Sequence, residues 1–275
     1  MKNFKTTLWI ILLIGIWSCV EKEPAAEQIT FLVTTNVRGQ LDPCGWKANP
    51  LGGLPRRATY ISEVKDSGVD PILLDAGDAL FENYYLINGK VASSKLKAKT
   101  ILESTAKMGD YIYNVGYQDL AAGFEFIKEM EASYGTQYVS SNILKSGTDE
   151  LAFNPHKIIK RGELNIGIFG LTTKLPSSVN AITVKDYIQT AKEKIAELRP
   201  QVDVLVMLLN ATRIQNIDAT NDFAGVDYIF SSRETTRTRP ETVKNTGDPM
   251  AYCFGIQGKY IARFDVNIAD KGKEI

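Results

Sequence analysis

Histidine is almost missing: His156 is the only one in 275 residues. A site that needs several imidazoles, as ligands or as proton carriers, cannot be assembled from this chain. A charge bias is missing as well. Lysine and arginine number 32, aspartate and glutamate 32, and the formal net charge is zero. No global basic field draws the chain to nucleic acid, so no nucleic-acid partner is expected. Cysteine is scarce, with three residues at positions 19, 44 and 253. A chain of this length buries a substantial core without disulfide staples. The apolar run from Leu8 to Trp17 is half of the about 20 residues that a membrane span requires. No internal repeat, low-complexity block or domain boundary interrupts the sequence after its first residues.

Those first residues follow their own plan. Lys2 and Lys5 precede the Leu8–Trp17 run, and Ser18 and Cys19 follow it. A basic start, a short apolar stretch and a small residue is the layout of an export signal. Ile16-Trp17-Ser18-Cys19 resembles a bacterial lipobox, with Trp17 in place of the usual small residue. On that reading residues 1–19 are a lipoprotein-type signal, and Cys19 is the lipidated first residue of the mature protein. The protein is then exported and anchored to a bacterial membrane, periplasmic or at the cell surface, with lipid as its partner. Each buried methylene would add about 0.8 kcal/mol of anchoring. The alternative is a plain signal peptide cleaved near Cys19. Residues 20–28 are polar and aperiodic and read as a tether. In an oxidising compartment Cys44 and Cys253 either pair or stand as a free thiol and a buried apolar residue.

Short apolar runs then alternate with amphipathic ones. Strands are predicted over 29–35, 71–75, 111–115, 137–140, 164–171, 202–209 and 226–230, with a β-rich end at 250–254 and 259–268. These are continuous apolar runs, as expected of strands covered on both faces. Helices are predicted over 54–67, 93–108, 119–133, 184–199 and 214–223. In the fourth, Tyr187, Ile188, Ala191, Ile195 and Leu198 recur at helical spacing. Residues 233–248 form the one long loop. The alternation implies a layered α/β domain from about 29 to 268, with a polar tail over 269–275.

Several short stretches carry a more specific signal. They include Val33–Gly39, Gly52-Gly53-Leu54-Pro55-Arg56-Arg57, Leu73-Leu74-Asp75-Ala76-Gly77-Asp78, Asn114–Asp119, Ser141-Asn142-Ile143, Gly167–Thr173, Asp203–Asn210, Gly225–Ile229 and Gly258–Val266. In this order they resemble the N-terminal catalytic domain of the bacterial 5'-nucleotidase and UDP-sugar hydrolase family, of calcineurin-like metallophosphatase fold. The resemblance implies a single-domain, four-layer α/β/β/α sandwich. The family's usual C-terminal substrate domain would lie beyond the last residue of this sequence.

In that family two divalent ions generate a hydroxide and clamp phosphate oxygens. The resemblance locates the equivalent positions here and finds most of them changed. The Asp-x-His motif is Asn36-Val37-Arg38. Gly-Asp survives as Gly77-Asp78, leaving Asp78 as the residual ligand. Gly-Asn-His-Glu is Gly116-Tyr117-Gln118-Asp119. Ser-His aligns with Leu209-Asn210, and Gly-His-x-His with Ser232-Arg233-Glu234-Thr235. Asn36 and Asn210 offer only carbonyl oxygens, and Arg38 and Arg233 are permanent cations that repel a divalent ion. His156 falls at no motif position and reads as a half-exposed residue at a strand start.

Three functions follow as expectations. The first is a degenerate member acting as a binding or scaffold module without a cofactor, for an unidentified small anion or protein partner. Arg38, Arg233 and Arg237 are its anion-binding candidates. A structural variant of the same site pairs Arg38 and Arg233 with Asp78 and Asp119. The second is a phosphoesterase with an unorthodox two-metal site around Asp78, Asp119, Asn36 and Asn210. The third is a thiol redox protein centred on Cys44. In a branch of the family with Asn-x-Arg-Gly at the first motif a Cys-Gly-Cys follows, but here its second position is Trp46. Cys44 is then a thiol activated by Arg38, or bonded to Cys253, or merely buried. Arg56 and Arg57, after Gly52-Gly53, are expected to be structural rather than phosphate-binding.

Overall fold

The computed structural model describes residues 28–45, 48–213, 215, 222–238 and 251–267. The signal segment with Cys19, the tether, Trp46, most of the 214–223 helix, much of the 233–248 loop and the polar tail lie outside the described residues.

Two five-stranded sheets pack face to face. The first contains β1 (Gln28–Thr34), β2 (Ile72–Asp75), β3 (Tyr111–Asn114), β4 (Gln137–Val139) and, at the C-terminal end of the chain, β12 (Ala262–Asn267). Their order is β12-β1-β2-β3-β4, parallel except for β12. The second contains β6 (His156–Arg161), β7 (Leu164–Thr172), β9 (Val204–Asn210), β10 (Tyr228–Ser232) and β11 (Ala251–Tyr252). Their order is β11-β10-β9-β7-β6, with only β6 antiparallel. A small antiparallel pair, β5 (Ile143–Lys145) and β8 (Ile182–Val184), sits outside both.

The period-2 alternation of side chains accounts for the layers. Along β9, Val204, Val206 and Leu208 enter the core between the sheets. Leu205, Met207 and Leu209 face the other way, into a core shared with α4 (Tyr187–Leu198). On β2, Ile72 and Leu74 join the inter-sheet core, while Leu73 joins the core beneath three other helices. Those helices are α1 (Leu54–Asp66), α2 (Val91–Met108) and α3 (Phe124–Tyr134). The result is the expected α/β/β/α stack. Among the described residues no helix is long and apolar enough to cross a membrane.

Differences from the expected elements are local. The single helix expected over 119–133 is split into a 3₁₀ turn (Asp119–Ala122) and α3, because Gly123 adopts φ 90° between them. Strands β5 and β8 were not expected, and β6 was anticipated only as a strand starting at His156. Edge strand β6 contributes only Ile158 and Ile159 as apolar residues, and Ile158 is exposed, so its composition gives little strand signal. His156 opens β6, half-buried as expected, with its pKa lowered by burial.

Candidate functional site

The parallel strands of both sheets end at one edge, where α/β folds place their sites. β1 runs on to Asn36 and Arg38, β2 to Asp78, β3 to Asp119, β9 ends at Asn210 and β10 leads into Arg233. These ends are laced together. The amide of Asn36 donates to the carbonyls of Glu234 (2.8 Å) and Gly255 (3.0 Å), and its Oδ1 accepts from Arg233 N–H (2.7 Å). Gln257 N–H donates to the Asn36 carbonyl at 2.7 Å. Asn210 Nδ2 donates to Ser232 Oγ (2.7 Å), and Ser232 donates on to the Ala76 carbonyl (2.7 Å). Asn210 Oδ1 accepts from Tyr117 N–H at 3.0 Å.

The backbone at this edge is unusual. Among the described residues five non-glycine residues hold left-handed φ: Asn36 (49°), Arg38 (56°), Asp78 (58°), Arg233 (66°) and Gln257 (62°). All five belong to this edge, and such outliers cluster at functional sites because the surrounding structure must hold them. Packing is at its limit beside Asp78. A Cβ on Gly116 would lie 2.1 Å from the Asp78 nitrogen, so only glycine fits there.

Three carboxyl groups are fully enclosed. Asp119 accepts from the N–H groups of Asp78 (2.9 Å), Leu80 (2.8 Å) and Gly116 (2.8 Å). Burial, with help from the neighbouring Asp78 charge, nevertheless pushes its pKa up to about 7. Asp75 accepts from Thr34 Oγ1 (2.6 Å) and Gly77 N–H (2.8 Å), and burial raises it to about 7 against those bonds and the Arg57 charge. Burial also raises Asp78, opposed by Gln118 N–H and by the charges of Arg38 and Arg233. Asp78 Oδ1 accepts from Gln118 N–H at 2.8 Å, while its Oδ2 is buried without a hydrogen-bond partner.

The expected pairing of Arg38 and Arg233 with Asp78 and Asp119 is met only at longer range: both charges act on Asp78, but among the described residues neither arginine makes a direct ion pair with Asp78 or Asp119. Asp119 is occupied by three backbone donors. Arg233 lies over the Tyr117 ring, 4.3 Å from its centroid, and reaches Thr173 Oγ1 at 3.4 Å. Arg38 keeps its Nε buried and unpartnered. Stacking on an aromatic face competes well for a planar guanidinium. Arg237 does not join the other two in a common pocket. It is exposed and lies 4.6 Å from the Tyr260 centroid. Thr235 is exposed, its N–H donating to Glu234 Oε1. With its amide oriented to suit its neighbours, Gln118 donates to the carbonyls of Phe81 (3.0 Å) and Glu82 (3.2 Å).

The thiols are separate. Cys44 and Cys253 are both free, so the disulfide expectation is not met. Cys44 is half-buried, bridged to Leu51, with Sγ 3.9 Å from Gln257 Oε1. Cys253 is buried against the Glu234 carbonyl (3.2 Å), and burial raises its pKa. Arg57 is buried within range of Asp75 and Tyr111, and Arg56 donates to the Pro50 carbonyl. Both serve the structure, as expected. Ser232, Gln257 and the Tyr117–Arg233 stack were not read from the sequence. The signals available for them were the Gly255–Gly258 turn and the aromatic residue at a polar motif position.

A two-metal centre can be tested against these donors. The oxygens of Asn36, Asn210 and Asp119 are spent on N–H groups, and two guanidinium charges act on Asp78. Among the described residues no three His, Cys, Asp or Glu side chains converge to hold an ion. The donor set does not fit two divalent ions.

No family profile matches the sequence. The snake venom 5'-nucleotidase of Gloydius brevicauda is 23% identical over 97% of this chain and 50% of its own length. The 2',3'-cyclic-nucleotide 2'-phosphodiesterase/3'-nucleotidase of Yersinia enterocolitica is 25% identical over 75% of this chain and 35% of its own. The chain thus spans half or less of these curated relatives. Among solved structures, a calcineurin-like phosphoesterase from Bacillus subtilis superposes with a TM-score of 0.69. It is 17% identical and covers 87% of this chain and 84% of its own.

Proposed function

We propose that the chain is a divergent catalytic domain of the 5'-nucleotidase family that has exchanged hydrolysis for binding. It is read as an exported module held on a membrane through a lipid at Cys19, with residues 20–28 as tether and residues 29–268 as the working domain. The observation that carries this reading is the use made of Asn36 and Asn210. At positions where the family places ligands, each amide oxygen accepts a backbone N–H, and each nitrogen donates within the protein. Each oxygen is thereby already engaged by an N–H donor, and the amide is fixed in a cross-linking orientation, which makes it a poorer metal ligand than the carboxylate or imidazole of the family. Without the metals there is no activated hydroxide and no clamp for a phosphoryl group. The remaining cationic groups, Arg38 and Arg233, suit an anion instead.

The test is metal content and phosphatase turnover on one sample of the full chain in detergent. After equilibration with Mn²⁺, Zn²⁺ or Mg²⁺, fewer than one bound ion per chain is expected, with no turnover of nucleotides or generic phosphate esters. Two bound ions with turnover abolished by Asp78→Ala would overturn the reading and establish a phosphoesterase with an unorthodox centre.

A further inference from the structure

A cavity of about 340 Å³ lies beside the strand-end network, between the turn after β1 and the first half of α2. Its walls carry three cations, Arg38, Lys90 and Lys97, against one carboxylate, Glu82. Among the described residues none of the three cations makes a direct ion pair, although the charge of Arg38 acts on Asp78. Arg38 Nε is buried with no acceptor. That nitrogen is itself enclosed, so what Arg38 lends the cavity it lines is its fixed charge.

The helix points the same way. The 18-residue α2 starts at this cavity with Lys90 in the capping position, no side-chain cap and no acidic residue in its first turn. Its N-terminal dipole is thus uncompensated from within the chain. Ser93 and Ser94 add hydroxyls on the same wall, Gln40 and Gln257 add amides, and Tyr85 and Ile87 form an apolar side. The volume is at the lower end of small-molecule sites, which run from roughly 300 to 1,000 Å³.

We propose that this cavity binds a small organic oxyanion carrying two or more negative charges, a phosphomonoester or a polycarboxylate. Arg38, Lys90 and Lys97 hold the charge, with the Ser93 and Ser94 hydroxyls beside them. The inference rests on the binding-module reading but places the ligand beside the former metal site rather than in it. Arg233 does not line the cavity.

Calorimetric titration of the full chain in detergent at low salt tests it, with glycerol 3-phosphate, citrate and inorganic sulfate as probes. Saturable binding of glycerol 3-phosphate or citrate is expected, tighter than sulfate, and the stronger of the two names the ligand class. Lys90→Gln and Lys97→Gln, both at exposed positions, should each weaken it about tenfold, the effect of one charge-assisted hydrogen bond. Lys107→Gln, exposed at the far end of the same helix and outside the cavity, should leave it unchanged. No saturable binding, or binding indifferent to both Lys90 and Lys97, overturns the inference. Binding lost in Arg233→Gln and kept in the Lys90 and Lys97 variants also overturns it, and leaves the binding-module reading standing with the ligand at the strand ends. Metal-dependent turnover would defeat the loss of hydrolysis instead, and the lysine dependence would still decide this cavity.

Discussion

The strand-end network has two halves, and they are differently finished. On the Asn36–Asn210–Ser232 side every side-chain donor and acceptor of the two asparagines is paired, mostly with backbone from another strand. On the Asp78–Arg38 side, Asp78 Oδ2 and Arg38 Nε are both buried and both unpaired. A neutral amide closes the first half on itself, because it carries donors and an acceptor at once. The second half holds a carboxylate and a fixed cation: Asp78 accepts the Gln118 N–H through Oδ1 alone, and Arg38 Nε, a donor, meets no acceptor. Cross-linking is thus concentrated on one side and unpaired polar groups on the other.

Removing the first half's cross-links should have the largest effect. Asn36→Ala deletes three hydrogen bonds to backbone and puts alanine at φ 49°. A loss of about 3 kcal/mol or more in urea unfolding is expected, since buried N–H and C=O groups are left without partners. A loss below about 1 kcal/mol would mean that the halves do not differ.

The enclosed carboxyls sharpen the contrast through pH. Asp75 and Asp119 are raised by burial to about 7 in the folded protein, from about 3.8 when unfolded. The folded state therefore holds more protons between these values, and stability falls as pH rises through about 7. Thermal melting should be higher at pH 5.5 than at pH 8, and Asp75→Asn should shrink that difference by a few degrees. An unchanged difference would remove Asp75 from the account. The smallest effect belongs to the stack beside the network. Arg233→Lys keeps the charge and loses the planar face over Tyr117, so about 0.5–1 kcal/mol of stability is expected to go, measured by the same unfolding curves.

Much of this was legible in the sequence, for identifiable reasons. Strands such as β9 are apolar on both faces because both faces are covered, and that leaves a continuous run. Positions 36, 38, 78, 119, 210 and 233 were found together through the resemblance to the 5'-nucleotidase family, whose motifs fall at or just after strand ends. What the arginines do was not legible. Whether Arg233 meets Asp78 or the Tyr117 ring depends on distances across strands that no spacing encodes. The cavity was hidden for the same reason, since Arg38 and Lys90–Lys97 come from segments far apart in the chain. Short strands β5 and β8, three residues each, are too brief for a period to register.

The left-handed residues at this edge have a consequence for what the scaffold can become. Asparagine, arginine, aspartate and glutamine share the same uncommon backbone there, and only asparagine and aspartate tolerate it readily. The path is therefore imposed by the packing around it rather than chosen by each side chain. Each of these side chains is therefore carried on a fixed, strained base, and an exchange there changes the chemistry of the edge only where the new residue tolerates that backbone.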